Sequence, residues 1–66
     1  MKPYMKRVKE EYKEIDIRVG KLQEFLGSKD YVLLNKMDAY LLDSQLFIMR
    51  SYRSILAARI ENYIES

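Results

Sequence analysis

Leu41–Ile60 reads LLDSQLFIMRSYRSILAARI. It has no Gly or Pro and carries apolar residues at helical spacing, which predicts the core of a long α-helix. Leu41, Ile48 and Ile55 recur every seven residues, and so do Leu42, Met49 and Leu56. At about 100° per residue these form two apolar rows. Gln45, Tyr52 and Arg59 share the spacing and fall near or between them. A polar row along an apolar face is costly unless its groups find partners. Either a neighbouring chain or a polar ligand is expected to meet it.

Upstream, Met5, Val8, Tyr12, Ile15, Val19, Leu22 and Leu26 are spaced alternately by three and four. That is an amphipathic helix close to a heptad seam, starting near Pro3, a residue suited to a first helical turn. Gly20 is tolerated inside at a cost of about 1 kcal/mol against Ala, and it would permit close approach of another helix. Ile17 lies roughly opposite the stripe and would be left in water by a lone hairpin. Gly27-Ser28 ends this helix, because Gly is favoured just past a helix C-terminus. Ser28-Lys29-Asp30 is a short polar loop. Tyr31-Val32-Leu33-Leu34 is too apolar for an exposed linker and predicts a turn of helix, with Tyr31 and Leu34 closing the hairpin. Asn35 reads as an N-cap with Asp38 at N3, opening a helix from about Lys36 to about Ile64.

The apolar face of that second helix spans about half its circumference, more than one partner helix covers. With two long helices per chain, the remaining neighbours must be other copies. The expected fold is all-α: a single domain over 1–66, an antiparallel helical hairpin with a short helical turn between its helices. It assembles into a compact homo-oligomer.

Composition narrows the chemistry. The chain has 66 residues, no Cys and no His. A core of this size is marginal without disulfides, metal or oligomerisation, and the first two lack their usual ligands. Metal sites in helix bundles commonly use Glu-x-x-His, and a Ser nucleophile here lacks its usual base. Catalysis, a metal and a cofactor are therefore not expected. No apolar run approaches the roughly 20 residues of a membrane span, and the basic start has no apolar stretch behind it. A soluble intracellular protein is expected.

Net charge is +2. Lys2, Lys6, Arg7, Lys9 and Lys13 crowd the start, followed by Glu10, Glu11, Glu14 and Asp16. This is either a solvated helix face or a local attraction for phosphates, and it is weak for a long duplex partner. Tyr4, Tyr12, Tyr31 and Tyr52, with Lys29, Arg59 and Gln45, are the types that bind a small anionic nucleotide: rings for bases, cations for phosphates, amides for base edges. The same residues also serve packing and subunit contacts. For Gln45 and Arg59, a hydrogen-bond network between subunits stands level with a ligand contact.

Glu11-Tyr12, Lys21-Leu22, Phe25-Leu26 and the pattern LL-x-x-Q-x-x-x-M-x-x-Y-x-x-x-L-x-x-R-I from Leu41 to Ile60 resemble the phage anti-CBASS cyclic-nucleotide sponge family. That family's hairpin is similar to one in anti-Thoeris sponges. The resemblance covers about Glu10 to Ile60. It implies a compact hexamer in the cytoplasm of an infected bacterium. Such a protein binds cyclic di- and trinucleotides without cleaving them and so blocks immune signalling. It implies a dinucleotide site between subunits using Tyr12 and Lys29, with Lys21 the alternative. It further implies a trinucleotide site using Arg59 and Ser28. The basic N-terminal segment is outside the pattern, and Gly27 stands where a ligand residue would belong. The alternative reading is a small oligomeric helical interaction protein with no small-molecule ligand. Membranes and long nucleic acids are not expected partners.

Overall fold

A computed structural model describes residues 2–63. Among them the chain forms two long helices joined by a 3₁₀ turn: α1 (Pro3–Leu26), the 3₁₀ turn (Tyr31–Leu33) and α2 (Lys36–Glu61). The helices pack as an antiparallel hairpin, about 52 Å long and 15 × 14 Å across.

Local chemistry sets the ends. Pro3 occupies the first turn of α1, where its missing N–H costs nothing. Gly27 caps the C-terminus, donating to Gln23 O and Glu24 O at 3.2 Å. Its φ is −91° and ψ 3°, so the left-handed conformation that favours Gly there is not used. A Cβ at Gly27 would meet only the Gln23 and Glu24 carbonyls at 3.8 Å, an ordinary contact. Asn35 caps α2: its side-chain oxygen accepts from Asp38 N at 2.8 Å. The carboxylate of Asp38 also lies in the first turn, on the favourable side of the helix dipole. Helix 2 stops at Glu61, short of the expected Ile64. Asn62 ends it by donating to Ala58 O at 2.9 Å, and position 64 lies outside the described residues.

The core is one narrow strip. Met5, Val8, Ile15 and Val19 of α1 are buried with Leu56 of α2, and Tyr12, Leu46, Met49, Ile60 and Tyr63 pack against them. The α1 stripe expected from the spacing is the one that faces α2. In the connecting turn Tyr31 and Leu34 are half-buried as expected, but Val32 and Leu33 are 78% and 82% exposed. A 3₁₀ turn spreads successive side chains about 120° apart, so a lone hairpin cannot cover all of them. Gly20 gives no clearance to α2, since a Cβ there would meet nothing within 4 Å.

The two seven-residue rows of α2 part company. Leu42, Met49 and Leu56 turn toward α1. Leu41, Ile48 and Ile55 remain 54%, 66% and 57% exposed. One partner helix covers only half of the apolar face, for the geometric reason anticipated from its width. Ile17 is also exposed. No helix among the described residues is long and apolar enough to cross a membrane.

Candidate functional site

The antiparallel fold brings the start of α1 against the end of α2. Past Asn62 the last turn tightens, with Tyr63 N donating to Ile60 O at 3.2 Å. This swings the Tyr63 ring over the first turn of α1. There its hydroxyl oxygen accepts from Lys2 N at 3.2 Å. The rings of Tyr4 and Tyr63 meet edge to face, centroids 6.2 Å apart and planes at 82°, a favoured aromatic geometry. Beside them opens a shallow groove of about 490 Å³, walled by Tyr4, Tyr63, Arg59 and Asn62 over Met5, Ile55 and Ala58. Lys2, Lys6 and Arg7 are exposed on the same end of the hairpin.

This arrangement offers ring edges and faces, one guanidinium, one carboxamide and an apolar floor. Those groups can bind a planar group that carries negative charge.

The polar row on α2 meets three fates. The Tyr52 hydroxyl donates to the Glu11 carboxylate of α1. Gln45 Nε2 lies 3.7 Å from Met49 Sδ on its own helix, a weak interaction. Arg59 lines the groove. Nearby, Arg53 Nη1 pairs with Asp16 Oδ1 at 2.8 Å, a second polar clasp between the helices.

The residues that the family resemblance implied are dispersed along one chain. Tyr12 is half-buried and packs on the core. Lys21 is exposed nine residues further along α1, on the opposite side and about 13 Å away by helical rise. Lys29 is exposed in the loop at the far end. Ser28 sits there too, its Oγ donating to Phe25 O at 2.6 Å. Arg59 is at the open end, the other extreme of the hairpin. Within one chain, neither Tyr12 with Lys29 nor Arg59 with Ser28 comes together. Each pair would have to meet across copies.

Asn62 and Tyr63 were not singled out from the sequence. A signal existed. Folding the chain back about the loop places Tyr4 opposite the last residues of α2, so an aromatic at each end predicts a pair.

Two hydroxyls have a pH consequence. The Tyr52 pKa is raised above its ordinary 10.0, first by its hydrogen bond to Glu11, then by desolvation and the Glu11 charge, against a lowering by Arg59. Tyr31, whose hydroxyl donates to Asp43 Oδ2 at 3.0 Å, is raised by that bond first, then by desolvation and the Asp43 charge. The folded state therefore holds these protons more tightly than the unfolded chain. Their stabilisation is complete below the unfolded pKa of 10.0 and is lost as pH rises through the folded values. Thermal melts between about pH 9 and about pH 11 are expected to show Tm falling less steeply for the Tyr31→Phe, Tyr52→Phe double variant than for the parent chain.

A family model described as Sequestin matches residues 2–62. A relative from Enterobacteria phage T4, described as an uncharacterized 7.5 kDa protein in the denB–rIIB intergenic region, is 35% identical over 63 residues, covering 96% of this chain and 98% of that protein. No solved structure matches significantly.

Proposed function

The chain belongs to the Sequestin family, and from that premise we propose that it is a phage-type sponge for cyclic oligonucleotide second messengers. It binds cyclic dinucleotides, and cyclic trinucleotides at a second site, between copies of itself. It holds them uncleaved, so that CBASS-type antiviral effectors are not switched on. The family's name points to sequestration, and the phage relative fits a protein deployed against a bacterial host.

The observation that carries the reading is the groove at the open end. It combines two tyrosine rings with Arg59, Asn62 and the basic first turns of α1, the donor set a base-plus-phosphate ligand requires. The dispersal of Tyr12, Lys29, Arg59 and Ser28 agrees with sites shared between copies. A cyclic dinucleotide has approximate two-fold symmetry. A site on a two-fold axis between identical chains presents each Tyr12 and each Lys29, or Lys21, twice. A hexamer of hairpins would carry several such sites.

Calorimetry against a panel of cyclic di- and trinucleotides tests this. Saturable binding of at least one member is expected, with the same nucleotide recovered intact after heat denaturation. No heat from any member at high micromolar concentration overturns the sponge. A shortened or linearised product overturns the non-catalytic reading.

A further inference from the structure

The exposed row of α2 has a second column beside it. Leu41, Ile48 and Ile55 form one column, each more than half exposed. Met37, Ser44, Ser51 and Ala58 form the other, also seven apart. Together they alternate by four and three along the whole helix, which is a heptad seam. The seam points well away from the contact with α1, and past Met37 its second column is all small. Ser51 Oγ already donates to Phe47 O at 3.0 Å, so burying that hydroxyl strands no donor.

We infer that this seam docks, antiparallel and about a two-fold axis, on the same seam of a second copy. The inference rests on the proposed self-assembly and adds its register. In an antiparallel coil one column faces the other. Setting Ile48 against Ser51 of the second copy also sets Leu41 against Ala58 and Ile55 against Ser44. Each of these large side chains then meets a small one, which permits close approach of the backbones. The flanking positions toward α1 are Asp38, Gln45, Tyr52 and Arg59. In the same register Asp38 faces Arg59 of the second copy, and Gln45 faces Tyr52. Shifting the register by one heptad either sets Ile55 against Met37 or carries Leu41 past the end of α2, and it also separates the charges. Charge complementarity therefore selects the register, and it selects a copy of this chain over an unrelated apolar partner. It also gives the polar row the partners that one hairpin leaves incomplete.

Asp38 and Arg59 are 21 residues apart on one helix, about 31 Å by helical rise, so any coupling between them is between chains. Sedimentation equilibrium without nucleotide, on D38R, R59D and D38R/R59D, tests this. Each single change is expected to weaken self-association at least about 10-fold, and the swap to restore it to within about 3-fold. A swap no tighter than the singles overturns the register. A second measurement does not depend on charge. The chain has no Cys, and Leu41 and Ala58 are too far apart on one helix to bridge. L41C/A58C is expected to form a disulfide-linked dimer under mild oxidation, while L41C and A58C alone do not. No cross-link in the double variant, or equal cross-linking in a single one, overturns the seam. Ile55, Ala58 and Arg59 also line the open-end groove, so the docked copy walls part of that groove. The measurements contain no nucleotide, so a failed seam leaves the calorimetric test of the sponge standing.

Discussion

Leu56→Ala is expected to unfold the hairpin at moderate temperature. Leu56 is fully buried, and among the described residues it is the one buried side chain that α2 contributes to the core. Truncating such a residue costs about 2–5 kcal/mol, combining lost transfer energy with an unfilled cavity. A small single-core domain has only about 3–5 kcal/mol to lose, and in this size range each kcal/mol moves Tm by about 4–8 °C. A drop of at least about 10 °C is expected by circular dichroism at fixed protein concentration. Leu41→Ala is the internal comparison. Leu41 is exposed in one hairpin, so its truncation is expected to leave hairpin packing nearly intact and to weaken self-association instead. A Tm change under about 1 kcal/mol equivalent for Leu56→Ala would contradict the packing described.

Tyr12→Leu is expected to abolish cyclic dinucleotide binding while leaving the assembly intact. Tyr12 packs half-buried against the core. Ala would therefore mix a packing loss with a ligand loss, whereas Leu keeps apolar bulk and removes only the ring. Base stacking on an aromatic contributes about 1–3 kcal/mol per base. A two-fold site uses the residue twice, so a loss of roughly 30-fold or more is expected by calorimetry. The native mass should be unchanged. Parent-level affinity in Tyr12→Leu would exclude stacking by this residue, even if the protein still binds dinucleotides by other groups.

The elements were legible because their determinants are local. The three-four spacing of α1, Pro3 at its start and Asn35 with Asp38 at the head of α2 each act within a turn or so of chain. Gly27 ends α1 as expected, with a negative φ that other residues also adopt. In the stretch read as too apolar for an exposed linker, Tyr31 and Leu34 are half-buried, but Val32 and Leu33 face outward because a tight turn cannot direct adjacent side chains to one side.

The candidate site was less legible. Arg59 stood out because it interrupts an apolar face. Tyr63 and Asn62 did not, because nothing in their own neighbourhood marks them. Their role arises when Tyr4, near the other end of the chain, is brought alongside.

By itself the sequence determined two helices, their caps and the width of the apolar face on α2. Periodicity and capping are properties of a few consecutive residues. Tertiary structure decided how Leu41–Ile60 is turned about its axis. Its two rows sit only about 100° apart and both are apolar, so local sequence does not choose between them. Packing against Val8, Ile15 and Val19 does: it buries Leu56, half-covers Leu42 and Met49, and leaves Leu41, Ile48 and Ile55 facing out beside Arg59.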